Sequence, residues 1–125
     1  MVTIEVNGTD LVLKALDKAE KEILNNLPKQ FNQIASYLEG EVKLSIAGQK
    51  EEDKSFDTGN LMRNIYGRYG DDFAIVFTNV EYAKYLEYAG LNNHWKNRKH
   101  FQNTLLRNQV KIQEYLNEAI KSAMR

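Results

Sequence analysis

Cysteine is absent from this 125-residue chain and proline occurs once. Without cysteine there is neither a disulfide framework nor a thiolate metal site. No stretch approaches the ~20 apolar residues of a membrane span, and the N-terminus lacks a signal-peptide pattern. These absences fit a protein made in a reducing cytosol. Also missing are a Gly-rich phosphate loop, a Ser/His/Asp set and an embedded carboxylate pair. The expectation is therefore no catalytic constellation and no cofactor-binding or metal-ligating residue.

What is present is an ordinary globular composition, 42% apolar and 27% charged, in a length that suits one domain over 1–125. The formal charge is zero but unevenly spread. Residues 1–88 hold ten Lys/Arg against fifteen Asp/Glu, a balance of −5. Residues 89–113 hold five basic residues, two histidines and no acid, a balance of +5, and the last twelve are neutral. A solvated face explains this as simply as a surface with opposite poles, which would suit head-to-tail contacts between copies or an anionic partner.

Val2, Ile4 and Val6 alternate with polar residues, predicting a half-buried strand. After the Asn7-Gly8 turn signal, Thr9 or Asp10 can cap a helix. Leu13, Leu16, Ile23, Leu27, Phe31, Ile34, Leu38, Val42 and Ser45/Ile46 then recur at helical spacing, ending near Gly48. Pro28 lies inside this stripe, and a helix-interior proline costs about 3 kcal/mol, so a kink in a continuous rod is expected. The mixed spacing favours packing on the protein's own sheet over a heptad coiled coil.

Gln49–Lys54 is polar, charged and aperiodic, and reads as a mobile loop. A hairpin is expected from Met62 to Tyr69 through a Gly70-Asp71-Asp72 turn, its first strand entered from Leu61, with Leu61, Ile65 and Tyr69 on one face and Met62 and Tyr66 on the other. Phe73–Thr78, apolar on both faces, reads as a central strand. Asn79 can cap a short helix carrying Tyr82, Tyr85, Leu86 and Ala89 on one face, stopped by Gly90. Leu91–His100 is irregular and basic, and one terminal helix carries Phe101, Leu105, Ile112, Leu116 and Ile120. The fold class is α+β: a small antiparallel sheet, made of the N-terminal strand and the central hairpin, covered by one long N-terminal helix and a C-terminal helix.

Three local signals need weighing. Asp57-Thr58-Gly59 matches the loop of aspartic proteases, which bring two such loops together so that two carboxylates share a proton. Those enzymes flank the loop with apolar strands; here it follows a long helix and Lys54-Ser55-Phe56. The structural reading wins, with Asp57 and Thr58 bonding backbone amides and Gly59 in a tight turn. His94 and His100, six apart with no acid or cysteine between them, are poorly spaced for a metal. The many tyrosines are better read as core and interface than as a base-stacking platform.

Two segments together suggest a family. Asp57-Thr58-Gly59-Asn60-Leu61 and, beyond the hairpin, Tyr82-Ala83-Lys84-Tyr85-Leu86-Glu87-Tyr88-Ala89-Gly90 resemble the motifs of head–tail joining, or tail-completion, proteins of long-tailed phages and prophages. Length and element order match across the chain. Departures fall after Tyr88, where Ala89-Gly90-Leu91 replaces the usual Gly-Thr, and at His100-Phe101, which replaces Pro-Phe. The resemblance implies a structural virion protein, not an enzyme, that forms a ring, hexameric on assembly, at the head-proximal end of the tail. Its partners would be further copies of itself, the connector and the tail tube; DNA would pass only in transit, and no membrane is involved. It would reside in the host cytoplasm before assembly and at the head–tail junction afterwards. Asp57, Thr58, Gly59, Leu61, Tyr82, Ala83, Glu87, Tyr88 and Gly90 would be family-motif residues, and the basic Lys96, Arg98, Lys99 and Arg107 are the interface candidates. The alternative is nucleic-acid binding through the basic 94–111 region, which would weaken steeply with salt.

Overall fold

A computed structural model describes residues 2–7, 20–52, 55, 58–88 and 99–124. In chain order these form β1 (Val2–Asn7), α1 (Glu20–Ile46), α2 (Thr58–Arg63), β2 (Tyr66–Tyr69), β3 (Phe73–Thr78), α3 (Ala83–Tyr88), α4 (His100–Arg107) and α5 (Gln109–Met124). The three strands make one antiparallel sheet in the order β1-β3-β2, so the doubly apolar strand is the central one, as its sequence predicts. The α+β class is as expected.

The helical stripe accounts for the core. Leu27, Phe31, Ile34, Leu38, Val42 and Ile46 recur at three- and four-residue steps along α1 and are essentially inaccessible. From β1 they meet Val2, Ile4 and Val6, and from β3 Ala74 and Val76. Helix α1 covers β2 and β3, α4 covers β1, and α5 packs along α1. The helix runs through Pro28 without interruption. It ends on Gly48, whose φ of 79° is the left-handed conformation that lets its amide reach the Ser45 carbonyl while that of Gln49 reaches Leu44. The expected start of this helix at Thr9 or Asp10 lies outside the described residues.

Three local expectations are corrected. The stretch Met62–Arg63 is not strand: Thr58–Arg63 turns as α2, and strand begins only at Tyr66. Leu61 and Ile65 are buried as foreseen, but at helical spacing, and Tyr69 is about half exposed. Gly59 accordingly sits in a helical turn rather than a tight one. Next, the terminal helix is two helices, divided at Asn108. The Asn108 side chain donates to the Thr104 carbonyl at 2.8 Å and accepts from the Tyr37 hydroxyl of α1 at 2.8 Å, which fixes the junction. Last, the side-chain oxygen at the approach to α3 is that of Thr78, which accepts from the Val80 amide at 3.2 Å, in place of the expected Asn79.

Strand β2 lies so close to α1 that a side chain on Gly67 would not fit. A Cβ there would stand 2.9 Å from the Ala35 carbonyl oxygen. The Gly67 amide points out of the sheet and donates to Glu39 Oε1 at 2.8 Å. Gly67→Ala should therefore cost about 1–3 kcal/mol, because backbone rather than a flexible side chain must give way. Chemical denaturation of the two proteins measures this, and an unchanged midpoint would show that α1 can retreat freely.

Candidate functional site

The polar groups of this protein gather where α1 ends, where the following loop begins and where α4 starts. His100, the first residue of α4, is 1% exposed and lies between two serines. Its Nε2 is 2.6 Å from Ser55 Oγ and its Nδ1 is 2.8 Å from Ser45 Oγ. Ser45 in turn donates to Glu52 Oε1 at 2.5 Å. A hydroxyl has one proton, so with that proton committed to the carboxylate, Ser45 must accept Nδ1–H from His100. In neutral His100, Nε2 is then the acceptor for the Ser55 hydroxyl.

Glu52 is the hub. Arg107 grips both its oxygens, at 2.9 and 3.1 Å, and Asn103 donates to Oε2 at 3.1 Å. Burial works against the Glu52 charge, but the hydrogen bonds from Arg107, Ser45 and Asn103 and the Arg107 charge outweigh it and hold its carboxyl below the usual range. The same hydrogen bond to Glu52 pushes the Arg107 guanidinium up. The expectation of a mobile 49–54 loop is thus corrected at Glu52, which is 3% exposed and pinned from three sides.

A serine within hydrogen-bond reach of a histidine is the arrangement of an activated nucleophile. Here Ser45, Ser55, His100 and Glu52 are all buried, which closes the hydroxyls to any solvent-borne substrate. The network ties α1, the loop and α4 together. Among the described residues no cluster of His, Cys, Asp or Glu could hold a metal ion.

A second polar contact gives the Tyr-Ala-Lys-Tyr-Leu-Glu segment its role. Glu87 reaches from α3 to the start of α4, where Oε1 accepts from the Phe101 amide at 2.7 Å and Oε2 from the Gln102 amide at 3.1 Å. Lys99, at the cap position itself, offers no side-chain cap. Glu87 supplies from a distance the acceptors that helix amides need, at the end where the dipole favours an anion. Burial pushes its carboxyl up, and the two amides and the Lys99 charge oppose that rise. Glu87→Ala should cost about 2 kcal/mol, since two donors lose their partner, and Glu87→Gln less. Urea denaturation of both variants tests this; equal stability of the alanine protein would show that water caps α4 equally well.

The other sequence-marked residues fall as follows. Leu61 and Ala83 are core, and Tyr82 is partly buried against it. Thr58 and Gly59 open α2, and Tyr88 closes α3. Asp57, Gly90, Lys96, Arg98 and His94 lie outside the described residues. Of the basic stretch, Lys99 is half-buried. Arg107 is held by the chain's own Glu52, and Lys111 stands over the rings of Tyr37 and Tyr115. Sequence reading missed His100, Ser55 and Glu52 as partners. Ser45, a polar residue on the apolar stripe of α1, was the one legible sign.

One sheet face carries Phe73, Ile75 and Phe77 with Tyr66 and Arg68 beside them, all partly or fully exposed. Tyr66 tilts against Phe77 at 5.7 Å, and the Arg68 guanidinium stands 5.4 Å from the centre of the same ring. This aromatic surface faces away from α1. The chain matches no protein-family model, no curated protein and no solved structure at a significant level.

Proposed function

We propose that this chain is a structural virion protein that closes the head-proximal end of a phage or prophage tail as a ring and joins it to the head connector. The observation that carries the reading is the use made of its two short motifs. Leu61 anchors α2 in the core, and Glu87 caps α4 across the chain, so both serve as framework. Residues that hold a small domain rigid, around a buried network closed to solvent, suit a subunit whose work is done by its surfaces. The aromatic sheet face and the oppositely charged sequence segments offer surfaces for a head-to-tail contact that closes into a ring. In the genome that encodes it, disruption of the gene should leave filled heads and finished tails that do not join, seen by electron microscopy of lysates. Joined, infective particles from the disrupted strain would overturn the reading.

Fewer cations are left to face a partner. Lys96, Arg98 and Lys99 remain the interface candidates, whereas Arg107 serves the fold through Glu52. Glutamate at Lys96 and Arg98, with Lys99 kept because its charge supports the ionised Glu87, should abolish joining while leaving the melting curve unchanged; joining that survives both changes would remove that patch from the interface.

A further inference from the structure

We infer that the free edge of β1 is a self-pairing surface, taking the β1 strand of a second copy antiparallel about a twofold axis at Ile4. The hydrogen-bond phase of the sheet fixes which groups lie on that edge. Gly70 N–H bonds to the Phe73 carbonyl, so Phe73, Ile75 and Phe77 face β2 and Ala74, Val76 and Thr78 face β1. Their partners Val6, Ile4 and Val2 therefore point into the sheet, and the amides and carbonyls of Thr3 and Glu5 point out of it. Among the described residues these outward groups have no partner. The opposite edge differs. Strand β2 has four residues, and its outward Gly67 amide is taken by Glu39. Strand β1 has six, with no proline and no bulge to blunt it.

What such an edge recognises is another backbone, with donors and acceptors at strand spacing. The sequence then selects the register. Outward residues must meet outward residues, which leaves few alignments. Pairing Glu5 with its own copy would oppose two carboxylates, which is unfavourable. Shifting by two residues places Thr3 opposite Glu5 twice over, Ile4 on the axis, and Val2 opposite Val6. Every apolar residue then stays on the inner face and no like charges meet.

The groove beside β1 fits this arrangement. It lies against Val2, Thr3 and Ile4 and is walled by Phe101 and Leu105 of α4. It therefore flanks one half of the strand only. Antiparallel pairing puts the second α4 at the other half, about 7 Å further along for the two residues from Thr3 to Glu5. With the ~4.8 Å between paired strands, the two α4 helices come to about 8 Å, the distance at which helices pack side by side. The result is a six-stranded sheet in a closed dimer.

This pairing is independent of the ring reading and concerns the free protein. The experiment is sedimentation velocity on the intact chain across a wide concentration range. Wild type should pass from the 14.5 kDa chain mass to twice that mass. Thr3→Pro should weaken the dimer at least about tenfold, because proline removes an outward donor and none of the bonds to β3. Its melting curve at low concentration should match that of wild type. As a second route, the chain carrying both Thr3→Cys and Glu5→Cys should oxidise to a covalent dimer in an otherwise cysteine-free background. A wild type monomeric throughout, a Thr3→Pro protein that dimerises as wild type does, or a doubly substituted chain that fails to cross-link would overturn the pairing. A wild type that assembles directly to a larger closed ring would overturn it too, while favouring the ring reading.

Discussion

Leu38→Asp should leave no cooperative unfolding transition. Leu38 is 1% exposed in the middle of α1, between Ile34 and Val42 on the stripe that covers the sheet. An aspartate there loses the transfer free energy of a buried leucine, about 2 kcal/mol, and places a carboxylate in surroundings made of aliphatic and aromatic carbon. Among the described residues no lysine or arginine is buried. The combined cost exceeds about 4 kcal/mol, set against the 5–15 kcal/mol that holds a domain of this size together. Near- and far-ultraviolet circular dichroism during heating measures the outcome. A soluble Leu38→Asp protein that melts sharply would mean that α1 does not cover the sheet at that point.

Glu52→Ala is the second large effect, and its signature differs. Removing the hub strands the Arg107 guanidinium beside the hydroxyl of Ser45 and the amide of Asn103, both of which lose an acceptor. Breaking such a pair from one side costs about 3 kcal/mol, at the low end of the buried range because Arg107 keeps 24% of its side chain in solvent. The protein should still unfold cooperatively, with its midpoint lower by roughly 10 °C. The pH dependence follows from the sign of the shift. Glu52 titrates lower in the folded chain than its ordinary 4.5, so its stabilisation is present above that pH and is lost as pH falls through the folded value. The gap between wild type and Glu52→Gln should hence be widest near neutrality and close in acid. Glu87, shifted the other way, stabilises most below 4.5 and loses that contribution as pH rises through its folded value. A Glu52→Gln gap that is flat with pH would show that Arg107 does not depend on the charge.

The contrast between these two residues shows what was legible in the sequence. Leu38 belongs to a periodic pattern, and periodicity is a property of neighbouring residues, so the helix, its buried face and its end at Gly48 could all be read directly. The central position of Phe73–Thr78 followed from apolar character on both faces. Glu52 has no such pattern. It lies in a charged, aperiodic run, and its partners Asn103 and Arg107 are 51 and 55 residues away. A tertiary contact between two polar segments leaves no trace in either one. Thr58–Arg63 failed for a different reason: Leu61 and Ile65 are four apart, a spacing that satisfies a strand's alternation and a helix's turn equally well. Asn108 likewise looks like a surface residue until Tyr37, which comes seventy-one positions earlier, is placed against it.

The Glu39 side chain on the outer amide of Gly67 has a further consequence. A sheet that offers two bare margins can propagate, each molecule templating the next into a fibre. Glu39 occupies the Gly67 position of one margin from within the same molecule, and that short margin keeps only Tyr69 facing outward. Growth therefore favours the β1 side, and what joins there meets a poor template for the next step. A strand that is safe to leave bare in a crowded cell is one whose opposite margin is short and partly occupied.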